Sequence, residues 1–191
     1  GGSEYEREKK TMRERIKELI SEESIERRIR ELAAQISCDY KGRPLHLICI
    51  LKGGAVFLCE LAKRIQNEGL TMDFMSVSSY GSGTESSGIV RIVKDLDEPL
   101  MGREVLIVED IIDTGSTLNH LRKLLLERGP RSLEICTLLD KPSRRLQDVP
   151  VRYSCFEIPD RFVVGYGLDY DQRYRNLPYI GVVEFQDSEN S

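Results

Sequence analysis

Residues 105–117 read VLIVEDIIDTGST. Val105, Leu106, Ile107 and Val108 follow one another without a polar break, as in a parallel strand buried on both faces. A strand is expected over 104–108, stopping at the adjacent carboxylates Glu109 and Asp110. Two isoleucines and a third acid, Asp113, come next, and Thr114, Gly115, Ser116 and Thr117 lead into a helix. That helix is expected from 117 to about 127, where Arg128, Gly129 and Pro130 end it. Carboxylates at the end of a core strand repel one another, and burying them uncompensated is expensive. Their position calls for a ligand.

The rhythm of this stretch extends in both directions. Residues 45–51 (LHLICIL) read as a buried strand, followed by Lys52-Gly53-Gly54 and an amphipathic helix over 55–66. Strands are expected at 72–80, 90–94 and 133–139, with shorter apolar runs at 162–166 and 179–183. Between 12 and 36, Ile16, Leu19, Ile20, Ile25, Ile29, Leu32, Ala33 and Ile36 recur at helical spacing. Two helices are therefore expected there, broken at 21–24, where Ser-Glu-Glu-Ser can start the second. The alternation predicts an α/β fold, with a mostly parallel sheet flanked by helices on both faces.

Composition sets the outer limits. A chain of 191 residues suits a single domain with a real core. Residues 1–10 are polar and read as a disordered tag or extension before a domain over 11–191, whose core is expected at about 45–160. A net charge of −4 argues against general binding to nucleic acid or to a membrane surface. The five cysteines, Cys38, Cys49, Cys59, Cys136 and Cys155, show no CxxC spacing. Three of them, Cys49, Cys59 and Cys136, lie in apolar segments and read as small buried hydrophobes. No apolar run approaches the ~18 residues of a spanning helix. A reduced, cytoplasmic protein is expected.

In open parallel sheets, ligands bind at the carboxyl ends of the strands. Two loops would share that edge here: Lys52-Gly53-Gly54, and 109–117. Small residues and hydroxyls at a helix start, where amides lack internal partners, form a nest for a phosphate. An ordinary cap by Ser116 or Thr117 is the alternative, and the stretch is not a Walker P-loop. Glu109 and Asp110 should point to opposite sides of the strand, where they suit hydroxyl groups or Mg²⁺. Phosphate nest and diol-binding acids together describe a ribose 5-phosphate site. Residues 81–88 (GSGTESSG) read either as a hairpin tip or as a lid.

The same stretch resembles the phosphoribosyl pyrophosphate (PRPP) motif of type I phosphoribosyltransferases. With ILKGG (50–54), VSSYGSGT (77–84), LLDKPSRR (138–145) and FVVGYGLDYDQRYRNLPYIG (162–181), the chain is similar to the family's hypoxanthine-guanine branch, of bacterial type. The resemblance runs from about 45 to 183; the N-terminal segment carries no such signature. It implies the type I fold, with a small hood formed by the terminal segments. It also implies a Mg²⁺-dependent purine salvage transferase acting on small molecules, PRPP with hypoxanthine or guanine. A homo-oligomer, dimer or tetramer, is implied as well, with no nucleic-acid or membrane partner.

Residue by residue, the resemblance implies that Glu109 and Asp110 hold the ribose hydroxyls. Asp113, Thr114, Gly115, Ser116 and Thr117 would cradle the 5-phosphate, with Asp113 also the acid/base residue near the purine N7. Lys52 and Gly53 match the pyrophosphate loop, in which the family carries a cis peptide before the lysine; Arg175 would contact that pyrophosphate. Ser79 and Tyr80 match the start of the lid. On the purine side, Ile111 and Asp169 would line the base, Lys141 would donate to its six-position oxygen, Phe162 would stack and Val163 would read by its backbone. Glu109, Asp110 and Asp169 would be the carboxylates serving Mg²⁺. Rival expectations are a PRPP-sensing regulator of the same fold, and a xanthine- or adenine-preferring enzyme. Asp113 and the absence of a basic stripe disfavour the regulator, and Lys141 disfavours adenine.

Overall fold

The computed structural model describes residues 12–79 and 89–187. Its strands are β1 Met12–Ile20, β2 Leu45–Ile50, β3 Thr71–Ser79, β4 Val90–Lys94 and β5 Glu104–Ile112. They continue with β6 Ser132–Asp140, β7 Tyr153–Glu157, β8 Val163–Val164 and β9 Ile180–Asp187. Three helices accompany them: α1 Glu22–Asp39, α2 Ala55–Ala62 and α3 Ser116–Leu126. Six strands form the main sheet in the order β4-β3-β2-β5-β6-β7, parallel throughout except for β4.

Strand burial explains this layering. Along β5, Leu106 and Val108 pack into a cluster with Ile25, Ile29, Leu32 and Ile36 of α1 and Phe57, Leu58 and Leu61 of α2. Val105 and Ile107 point the other way, toward Leu118, Leu121 and Leu125 of α3. Alternate side chains thus serve opposite faces, and a continuous apolar run is what such a strand requires. From β2 the chain moves outward to β3, and from β5 outward to β6. The strand order therefore reverses between β2 and β5, which is where doubly wound sheets open a crevice.

Two expectations about the strands need correction. Residues 12–20 form a strand, where helical spacing suggested a helix. Ile16 and Ile20, spaced four apart, share a face in a strand as well as in a helix, and antiparallel pairing with β9 overrides the helix-forming Glu, Lys, Arg and Leu. Gly181 makes that pairing possible: a Cβ there would lie 2.4 Å from Ile16 Cγ2. The second N-terminal helix does start where expected, with the Ser24 amide donating to Ser21 Oγ at 3.1 Å. The other correction concerns β5, which runs through its carboxylates to Ile112 instead of stopping at Val108. Pairing with β2 ends at Val108, but pairing with β6 continues to Ile112 opposite Asp140.

A second sheet, β1-β9-β8, joins the two ends of the described chain. Strand β7 went unread in the sequence; it adds to the main sheet beside β6. Cys49 and Cys136 are buried, and burial raises both thiols, Cys49 to about 12. Cys59 is exposed, contrary to its apolar setting in the sequence. No described helix is long and apolar enough to cross a membrane. Replacing the fully buried Leu106 by Ala should cost about 2–5 kcal/mol of stability, read as a lower denaturation midpoint with an unchanged slope.

Candidate active site

Glu109 and Asp110 do not part to opposite sides as expected: their carboxyls lie within hydrogen-bonding distance of each other, and beyond them Ile111 packs with Leu106 and Val108 while Ile112 packs toward α3. Asp110 lies against the Lys52–Gly54 loop so closely that a Cβ on Gly53 would meet its Oδ2 at 1.9 Å. Glu109 opens instead onto a pocket of about 230 Å³, shared with Ile111, Asp113, Thr114, Gly115 and Thr117. Burial first, then the charge of Asp110, pushes the Glu109 carboxyl well above its ordinary 4.5. Burial raises Asp110 too, against the opposing pull of the Ile111 amide, the hydrogen bond with Glu109 and the charge of Arg175. Among the described residues neither carboxylate forms an ion pair.

Gly115 is the residue before α3, with φ of 81°, and it provides no side-chain cap. The ordinary cap by Ser116 or Thr117 is thus not formed, because the helix already begins at Ser116. A glycine is required twice over here. Its φ is left-handed, and a Cβ would meet the Gln147 carbonyl oxygen at 2.8 Å. The loop is braced from outside: Leu146 and Gln147 donate their amides to the Thr114 carbonyl at 2.8 and 3.1 Å. The Ser116 amide reaches Thr114 Oγ1 at 3.3 Å.

Across the crevice, the Leu51–Lys52 peptide is cis. Gly54 is enclosed by Cys49 Sγ and the carbonyl oxygens of Ile50 and Val108, each 3.2 Å from where a Cβ would be. The segment carrying Asp169 and Arg175 docks on this loop. A Cβ on Gly167 would meet the Gly53 carbonyl at 2.2 Å. Lys52 Nζ and Arg175 Nη2 both donate to Gln172 Oε1, at 3.2 and 3.1 Å. Arg175 also donates to the Gly167 carbonyl at 2.8 Å and pairs with Asp169 at 3.4 Å. Asp169 further accepts the Gln172 amide at 2.9 Å, so it stands with Arg175 and not with Glu109 and Asp110. Among the described residues no three metal-ligating side chains cluster.

Asp171, Gln172 and Tyr174 hold left-handed φ of 51°, 64° and 75°. Such backbones cost roughly 1–3 kcal/mol each and persist only when their surroundings over-determine them.

On the purine side of the expected site, Lys141 follows β6 and is 8% exposed. Its amide donates to the Ile112 carbonyl at 2.9 Å and its Nζ lies 3.7 Å from Asp160. Arg144 joins Asp160, at 3.5 Å, to Asp113, at 3.1 Å. Phe162 is half exposed, with its ring edge-on to Tyr170 at 5.6 Å. Val163 is buried and pairs with Val182 of β9. Ser79 closes β3; Tyr80 and the expected lid at 81–88 lie outside the described residues.

The structure thus brings Lys52, Gly53, Glu109, Asp110, residues 113–117 and Lys141 to the carboxyl ends of β2, β5 and β6, docks Asp169 and Arg175 on the Lys52 loop, and leaves Phe162 and Val163 at the second sheet. The sequence reading missed Gln172, Arg144, Arg145 and Asp160. Arg145 pairs with Asp140 and donates to the Asp113 carbonyl at 3.3 Å. The two arginines lie within LLDKPSRR and Gln172 within the 162–181 string, so Asp160 alone gave no signal.

A model of the phosphoribosyl transferase domain matches residues 16–171. The chain belongs to the phosphoribosyltransferase family. Among relatives in that family, a hypoxanthine-guanine phosphoribosyltransferase of Staphylococcus aureus is 53% identical over 166 residues, covering 87% of this chain and 92% of the relative. One from Streptococcus thermophilus is 49% identical over the same shares. Solved phosphoribosyltransferase structures are equally close. A hypoxanthine phosphoribosyltransferase from S. aureus has a TM-score of 0.85 at 52% identity, covering 88% of this chain and 91% of its own. A hypoxanthine-guanine phosphoribosyltransferase from Bacillus anthracis, with HEPES in its active site, has 0.84 at 44%, covering 90% and 99%.

The raised carboxylates carry a thermodynamic signature. A carboxyl raised in the folded state contributes stability below its unfolded value and loses it as pH rises through the folded one. Glu109→Gln should therefore melt higher than the parent at about pH 8, with the gap closing toward about pH 5. Melting curves across that range check it.

Proposed function

We propose that this protein transfers the 5-phosphoribosyl group of PRPP to hypoxanthine or guanine, releasing pyrophosphate and the purine nucleotide. The observation that carries the reading is the pairing of Glu109 and Asp110 with the uncapped, glycine-headed start of α3, at the point where the strand order reverses. The names of the relatives agree in kind. On this reading Glu109 and Asp110 take the ribose hydroxyls, and the loop from Asp113 to Thr117 takes the 5-phosphate on its amides and hydroxyls.

Breaking the bond to pyrophosphate passes through an oxocarbenium-like state, so the departing polyanion must be stabilised. Lys52 and Arg175, brought together on Gln172, supply that charge within an acidic protein. Asp113 stands ready as the base that accepts the N7 proton, held meanwhile by Arg144. Lys141 donates to a six-position oxygen, which a 6-amino purine does not offer. Phe162 presents its open half to stack on the base, and Ile111 and the Val163 backbone border it.

Mg²⁺ fits this donor set. It prefers carboxylate oxygens, keeps several of its own waters and needs only one or two protein ligands beside phosphate. Glu109, Asp110 and Asp169 are the residues that would serve it, and when bound it would neutralise pyrophosphate charge. We extend the proposal to a single domain over 11–191. Its β1-β9-β8 sheet would serve as the hood, and Ser79 and Tyr80 would open the lid that excludes water. The family resemblance further extends it to a cytoplasmic homo-oligomer, dimer or tetramer, acting on small molecules.

A steady-state assay with PRPP, Mg²⁺ and hypoxanthine, guanine, xanthine or adenine in parallel tests the reading. Turnover is expected with the first two; none with any base would leave a PRPP-binding regulator. Asp113→Asn should lower kcat by roughly 10²–10⁴ while the KM for PRPP changes little. Lys141→Ala should erode discrimination against adenine, and a variant as selective as the parent would remove Lys141 from the role.

A further inference from the structure

The 169–175 segment makes a demand that its own sequence does not meet. Three of its non-glycine residues are left-handed; from within, Tyr170 and Arg173 exchange amide bonds, both 3.0 Å, and Asp169 accepts the Gln172 amide at 2.9 Å. A further hold comes from the far end of the chain. In β1, Glu14 accepts Arg173 Nη2 at 2.6 Å through one carboxylate oxygen and the Tyr174 hydroxyl through the other. Its side chain is 17% exposed. Burial alone would raise this carboxyl, but the bonds from Tyr174 and Arg173 outweigh it and hold the group below its ordinary value.

We propose that Glu14 is a positioning residue. Gripping Arg173 and Tyr174 with its two oxygens, it fixes the turn that presents Gln172 and Arg175 to Lys52. This rests on the reading of Lys52 and Arg175 as pyrophosphate ligands.

Three further observations converge on the same clasp. Glu14 is paired in register with Phe185 of β9, whose ring meets Tyr170 edge-on at 5.6 Å. The Arg173 guanidinium lies over the rings of Tyr170 and Tyr174, at 5.7 and 5.3 Å from their centroids. Arg173 is thus held on two rings and by one carboxylate. On the other flank, Gln172 and Arg175 touch Lys52 and Gly167. The strained turn therefore has Glu14 on one side and the pyrophosphate loop on the other. Glu14, Arg173 and Tyr174 all fall outside the residues 16–171 that the family model matches.

Because Glu14 acts on the pyrophosphate side, its loss should separate the two substrates. In Glu14→Ala the KM for PRPP is expected to rise about tenfold, the scale of lost hydrogen bonds to a charged group, with the purine KM near the parent value. Phe162 keeps its backbone bond from Val183, at 2.9 Å, so purine stacking survives. Amide hydrogen exchange should quicken in 169–177 and stay unchanged in β2 and β5. Glu14→Gln should recover part of the loss, since its amide oxygen can still accept the Tyr174 hydroxyl. Tyr174→Phe should show a smaller effect that disappears in the Glu14→Ala background.

Unchanged PRPP KM and unchanged loop exchange in Glu14→Ala would overturn the proposal. So would equal rises in both KM values together with faster exchange in β2 and β5. Should Glu14→Ala not fold, Tyr174→Phe decides alone: a PRPP-selective KM rise with faster loop exchange supports the clasp, and parental values refute it. If the parent turns over no purine at all, the functional reading fails, while hydrogen exchange still decides whether Glu14 holds the turn.

Discussion

Between Gly53 and Asp110 there is no room for a methyl group: the carboxylate occupies the volume that any other side chain at 53 would need. That approach joins the loop after β2 to the end of β5, and the Gly167 backbone closes on Gly53 from the other side. Three segments far apart in sequence thereby meet at the Gly53 backbone. Every charged group of the candidate site hangs from one of them or from an adjoining strand end. Glycine stands at 53, 54 and 167 because these segments must touch.

The electrostatics follow from the same packing. Extending β5 past the point where β2 leaves it puts two carboxylates into a half-buried crevice, at a cost to the folded state. Cations gather a few residues away on the docked segment, and Arg175 already eases the burden on Asp110. Lys52 and Arg175 are joined to each other through the neutral Gln172 and form no ion pair with Glu109 or Asp110. Acidic and basic subsites thus lie side by side without cancelling, as a ligand with hydroxyls at one end and phosphates at the other requires. Family membership rests on independent comparison and agrees with this division.

Sequence was most informative where chemistry constrains a position through its own residue type. The run at 105–117 announced a buried strand, an acidic end and a phosphate-sized nest, and LKGG announced its partner loop. It misled at 12–20, where one pattern fits both periods and only the partner strand chooses between them. Strand β7 was silent because its pairing with β6, rather than a strong apolar alternation, makes it a strand. Gln172 and Arg144 lay within recognisable strings without showing a role, and Asp160 was invisible, for a different reason. An exposed polar side chain gains meaning only from what a returning loop brings beside it, and nothing in the residues flanking Asp160 names Lys141 or Arg144.

The β1-β9 ladder has a consequence for how the molecule comes into being. The first described strand pairs with the last, Met12 opposite Asp187, so this sheet has the longest sequence separation in the fold. During synthesis β2 to β7 can find their neighbours in turn as the chain emerges. The first strand must wait unpaired until residues 180–187 leave the ribosome. Glu14 can sit on β1 beside its cross-strand partner Phe185 only after that, and the order in which the chain is made fixes which part of the site is finished last.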